Sequence, residues 1–200
     1  MFGLKSNITA ITLCILGLGF SSIASAQEAN KEEAQESVML PDLAYVYDKD
    51  FCDFEISLPE EPKTSDLPPI IDDQGLKSEK ISYVKVFDLD KSLKVTASCK
   101  GINKEIRVVI SETTLDQEIK AIEEDRKLNI ISKENKLIPE QRLRVASIIA
   151  QRADTPGEGI FVYQIWASDN SLFTLEAEVK GPAHPDIDKF FVAILKSFKK

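Results

Sequence analysis

Residues 159–198 read GIFVYQIWASDNSLFTLEAEVKGPAHPDIDKFFVAILKSF, and this stretch decides the fold. Alternation along a strand puts Ile160, Val162 and Trp166 on one face and Phe161, Tyr163, Ile165 and Ala167 on the other, so both faces must be covered. Ser168, Asp169, Asn170 and Ser171 are turn formers whose short polar side chains satisfy a bent backbone. A hairpin is expected. In the return strand, Phe173, Leu175, Ala177 and Val179 point one way and Thr174, Glu176, Glu178 and Lys180 the other, as when only one face is dry. Gly181 and Pro182 end it. The last helix begins after His184, with Pro185 at its first position and Asp186 and Asp188 in its first turn, where acids suit the positive end of the helix dipole. Ile187, Phe190, Phe191, Ile194, Leu195 and Phe198 recur at helical spacing as one apolar stripe. Each such side chain contributes roughly 1.5 to 3 kcal/mol when buried, before the entropy of ordering is subtracted.

The N-terminus reads as an export signal, with retention as an uncleaved anchor the alternative: Lys5 gives a positive start, residues 8–20 are apolar, and Ala24, Ser25 and Ala26 form a small-residue cleavage site. The expected organisation is a signal peptide over 1–26 cleaved between Ala26 and Gln27, a linker and N-terminal arm over 27–50, and one domain over 51–200. No later stretch has the roughly 20 apolar residues of a membrane span. Cys14 follows Leu13 in mid-run and not a small residue at the end of it, which argues against lipidation. The leader contains one Lys and no acid, so the mature chain would hold 24 basic and 33 acidic residues, a net charge of about −9. Such a surface repels nucleic acid and anionic lipid. Periplasmic or secreted residence permits disulfides, and the two remaining cysteines, Cys52 and Cys99, share strand parity with the apolar faces around them. A structural bridge is expected in preference to a redox pair, because there is no Cys-x-x-Cys and no adjacent cation to lower a thiol pKa.

Residues 27–37 are charged and cannot offset the entropy of ordering. Residues 38–47 fit an irregular arm or a short helix. A first strand is expected over 51–58, followed by a long Pro-rich loop to Gly75. Three runs, 81–87, 93–99 and 105–111, are spaced as an antiparallel meander. Thr113 or Thr114 would cap a helix with Leu115, Ile119, Ile122 and Leu128 on its inner stripe. Residues 129–139 are polar and carry no clear pattern. Residues 143–152 suit strand or helix, and the turn formers at 156–159 favour strand. The class is α+β, an antiparallel sheet flanked by helices.

No catalytic constellation can be named. The single histidine, His184, has no nucleophile motif to serve and fits a helix entry. Asp88-x-Asp90-x-Ser92 begins like a calcium loop but has Leu93 where glycine is needed and Cys99 where a bidentate Glu is needed, so it fits a polar turn. Asp48, Asp50, Asp72 and Asp73 fit solvated loop acids, and Glu123, Glu124 and Asp125 diverge around a helix. No metal or cofactor is expected. Phe161, Tyr163, Trp166 and Phe173 could line an apolar pocket, against the simpler reading of core packing.

The phrase Phe54-x-Ile56-x-Leu58-Pro59, the middle helix, and the closing strand 172–179 before a helix ending Leu195-Lys196-Ser197-Phe198 resemble the PsbP-like fold, named for the extrinsic subunit of photosystem II. Small secreted bacterial proteins of the DcrB type are similar. The resemblance spans roughly residues 51–198. The loop over 59–75 and the Cys52/Cys99 pair depart from the general pattern. What it implies is a non-enzymatic binding or assembly factor, often beside a membrane complex, and it transfers no functional residue. The functional expectation is a periplasmic or secreted interaction protein whose partner is another protein. The alternatives are a carrier of a small apolar ligand near Trp166 and an unrecognised hydrolase built from acids alone.

Overall fold

A computed structural model describes residues 41–62, 69–153, 159–182 and 184–200, with the backbone alone for Glu112. The cleavage site at Ala26 and Gln27 lies outside the described residues. The elements in chain order are β1 (Tyr45–Tyr47), β2 (Ile56–Leu58), β3 (Ile70–Ile71), β4 (Lys77–Asp88), β5 (Lys91–Gly101), α1 (Lys104–Val109), α2 (Glu112–Arg126), β6 (Leu128–Ile138), β7 (Leu143–Arg152), β8 (Ile160–Ala167), β9 (Ser171–Lys180) and α3 (Pro185–Lys196).

Seven strands form one antiparallel sheet in the order β3-β4-β5-β9-β8-β7-β6, and β1 pairs with β2 in a separate hairpin. Two meanders are joined where β9 docks on β5, with Cys99 opposite Phe173 and Val95 opposite Ala177. The expected hairpin of the C-terminal stretch is β8–β9, with Trp166 opposite Phe173. Its other end needs Gly159, at φ 92°, where a Cβ would run into the Val179 carbonyl.

The two faces of the sheet are covered differently. On one, Leu93, Val95, Ala97 and Cys99 of β5 and Phe173, Leu175, Ala177 and Val179 of β9 pack beneath α3 and the β1–β2 hairpin. Ile187, Phe191 and Ile194 are the buried part of the α3 stripe, and Phe190, Leu195 and Phe198 are half-buried beside them. His184 caps this helix, its Nδ1 accepting from the Asp186 N–H at 3.3 Å. Beyond α3 the chain bonds to the hairpin: Glu55 and Lys199 exchange backbone hydrogen bonds of 3.0 Å, and Ser197 Oγ accepts from the Ser57 N–H at 2.9 Å. On the opposite face α2 lays Leu115 and Ile119 over Ala146, Ile148, Phe161, Tyr163 and Ile165.

The Cys52–Cys99 disulfide joins the segment before β2 to β5, with 6.0 Å between Cα atoms. Five local expectations change. Residues 105–111 give a helix where a third strand was expected, because both edges of β5 are already occupied by β4 and β9 and Asn103 Oδ1 caps the new helix by accepting from the Ile106 N–H. Ser111, not Thr113 or Thr114, caps α2, its Oγ accepting from the Thr114 N–H at 3.2 Å. The strand expected over 51–58 narrows to β2. The polar run after Lys127 becomes β6, an eleven-residue edge strand whose register slips between Ile130 and Ser132. Upstream of Phe51, Tyr45–Tyr47 is already part of the fold and Tyr47 is fully buried.

Candidate functional site

Trp166 and Phe173 face α3 and meet Phe54 and Phe198, with ring centroids 4.5 Å apart for Trp166–Phe198, 5.1 Å for Phe173–Phe198 and 5.7 Å for Phe54–Phe173. Phe161 and Tyr163 lie on the other face, under α2. The four aromatics are thus divided by the sheet itself, as the alternation along β8 requires. The acids suggested by the sequence are similarly separated. Asp88 and Asp90 belong to the β4–β5 turn, where the Asp88 side chain accepts from the Leu89 N–H at 2.8 Å. Asp72 holds a different turn, accepting from the Leu76 N–H at 2.9 Å and pairing with Lys100 at 3.1 Å. The Leu76 N–H, aided by Lys100, keeps the Asp72 carboxyl below its ordinary pKa of 3.8. Among the described residues no group of three or more His, Cys, Asp or Glu could hold a metal ion.

A site the sequence reading did not single out lies where β6, β7 and β8 end near α1. A pocket of about 400 Å³ opens there, with Val108 and Ile110 on one side, Leu137 and Pro139 on another, and Arg107, Arg142 and Arg144 among its walls. Each arginine is placed by a different element. Arg107 belongs to the last turn of α1, which Asn103 starts. Arg142 follows the 3-10 turn Pro139–Gln141 in left-handed conformation, φ 53° and ψ 44°. Arg144 sits in β7, in register with Leu137 of β6 and Ala167 of β8.

Asp169, in the β8–β9 turn, holds two of these groups: one carboxylate oxygen meets Arg107 and the other Arg142, the latter at 2.9 Å. That turn is braced in its own right, since Ser168 Oγ donates to Asp53 Oδ2 at 2.6 Å and accepts from the Ser171 N–H at 3.0 Å. Lys127 shares the left-handed conformation at the end of α2, so backbone strain alone does not single out Arg142. Its ion pair does. Val108 and Leu137 in the pocket walls are 79% and 53% exposed, large apolar groups left in water beside concentrated positive charge. Arginine is among the residues enriched at protein-binding surfaces. The only sequence signal for the pocket was the scarcity of arginine, five against twenty lysines, with two of the five separated by a single residue at 142 and 144.

A second concavity, of about 500 Å³, lies at the far ends of β8 and β9. Its charges are mixed, with Arg152 3.8 Å from Glu178 and Asp90 and Lys180 among its walls.

Sheet, flanking helices and hairpin together define an α+β domain with a basic pocket at one end. No family model matches the chain, and no curated protein does. Among solved structures it is similar to the solution structure of cyanobacterial PsbP (CyanoP) from Synechocystis sp. PCC 6803. The identity is 14%, the TM-score is 0.48, and the match covers 82% of this chain and 95% of that one.

Proposed function

We propose that this chain is a non-catalytic, periplasmic or secreted protein that binds another protein through the arginine-bearing end of its sheet. The observation that carries the reading is the pairing of Arg107, Arg142 and Arg144 with the exposed side chains of Val108 and Leu137 in a molecule otherwise dominated by acids. Arginine and open apolar groups give both orientation and contact area to a docking surface. The Cys52–Cys99 bridge supports residence in an oxidising compartment. The PsbP-like order of elements in the sequence is in keeping with an assembly role.

Carriage of a small apolar ligand near Trp166 has less support, because Trp166 and Phe173 are already engaged with Phe54 and Phe198 and a ligand would compete with that packing. A photo-crosslinking residue placed in intact cells at Val108 or Leu137 should give a discrete protein adduct, while the same residue at Glu124 or Lys94, exposed elsewhere, should not. Equal labelling from all four positions, or none from any, would contradict the proposal.

A further inference from the structure

Arginine is used sparingly in this chain, and nearly always against a carboxylate. Arg126 meets both oxygens of Glu176, at 3.3 and 3.2 Å, and Arg152 lies 3.8 Å from Glu178. Arg107 and Arg142 share Asp169. Arg144, the remaining one of five, has no carboxylate partner among the described residues, although its side chain is half-buried between Leu137 and Ala167. A guanidinium withdrawn from water without a counter-charge is costly, and far less so once a carboxylate fills the gap. Its planar fork of donors suits a carboxylate two N–H groups at a time, which an ammonium does not.

The surroundings specify what else the ligand carries. Asp169 offsets one of three positive charges, so the pocket keeps a surplus of two in a chain of net charge −8. Beyond the arginines and Ser168 its walls are apolar, through Val108, Ile110, Leu137, Pro139 and Ala167. A small hydrated anion would leave those walls unused.

We propose that this pocket binds a carboxylate attached to an apolar chain, with Arg144 as its counter-ion and Arg107 and Arg142, fixed by Asp169, on either side. This rests on the docking reading where the carboxylate is an acidic side chain of a partner flanked by apolar residues. A free medium-chain fatty acid offers the same chemistry, so the test separates the two sources.

The full chain, purified after export and labelled with nitrogen-15 arginine, is titrated with four probes while the Nε–H resonances of Arg107, Arg142 and Arg144 are followed, the first two serving as reporters in the Arg144 variants. Two are sodium octanoate and its neutral counterpart 1-octanol. The others are the blocked peptide Leu-Val-Glu-Val-Leu and the same peptide with Gln for Glu. The expected result is a saturable shift with octanoate, the Glu peptide or both, and at least tenfold weaker binding of the neutral member of the pair. Arg144→Lys should weaken binding about tenfold and Arg144→Met abolish it, whereas Arg126→Met should leave it unchanged. A response to the peptide pair places the carboxylate on a partner protein. A response to octanoate alone keeps the carboxylate site and removes the docking reading. No saturable shift with either charged probe, or equal shifts from charged and neutral members, overturns the proposal.

Discussion

Arg144 and Arg126 both project from the α2 side of the fold, yet they should respond oppositely to the loss of their charge. Arg126 neutralises Glu176, whose side chain is only 16% exposed, so Arg126→Met strands a carboxylate and should cost about 1 to 3 kcal/mol, read as a lower Tm. Arg144→Met removes a charge that has no protein counterpart and should leave Tm unchanged or raise it, since residues held for binding tend to cost stability. Tyr47 gives a second contrast. Its hydroxyl is fully buried without a hydrogen-bond partner among the described residues, and burial, with Glu79 and Tyr45 nearby, pushes its pKa well above the ordinary 10.0. The folded value exceeds the unfolded one, so the contribution to stability is complete below about pH 10 and is lost as pH rises toward the folded value. Tyr47→Phe should therefore match or exceed the parent in Tm at neutral pH. Its advantage should widen above pH 10 by up to about 1.4 kcal/mol per pH unit, measured by denaturant unfolding across that range. A constant gap between the two proteins would argue against this origin.

Among the elements, α3 matters most because it closes the face that the aromatic cluster fills. Phe198, just past the helix end, stacks on Phe54 at 5.5 Å and lies 4.5 Å from Trp166. Phe198→Ala should cost about 3 kcal/mol and shift Trp166 emission to the red as water reaches the indole, and an unshifted spectrum would contradict the packing described. This helix and the β8–β9 hairpin were legible in the sequence because their apolar residues follow periods of 3.6 and 2 without interruption, with Pro185 and Gly181 as punctuation. α1 was not. Ile106, Val108 and Ile110 alternate as a strand would, and only the lack of a free neighbour for a further strand beside β5 turns that stretch into a helix. β6 was equally hidden, since an edge strand carrying Lys133, Glu134 and Lys136 has too few apolar positions to show a period. The arginine pocket was illegible for a related reason: Arg107, the Arg142/Arg144 pair and Asp169 come from three separate segments, and it took the misread α1 to bring the first of them near the rest.

At the scale of the whole molecule, the two faces of one sheet have different character. The Cys52–Cys99 bridge, worth about 4 kcal/mol in the loop-entropy treatment, and the α3–hairpin layer staple and cover one face. Near α1, the open apolar groups and arginines are fixed by Asp169 and the braced β8–β9 turn without being covered. An uncovered basic pocket in which Arg107 and Arg142 are already held by Asp169 suits docking, because less side-chain ordering remains to oppose binding. The most direct measurement is crosslinking from Val108 in intact cells, compared between the natural chain and Arg144→Glu at matched expression. The account predicts a discrete adduct that disappears on charge reversal while Tm and disulfide content are unchanged, and an adduct of undiminished yield in Arg144→Glu would contradict it.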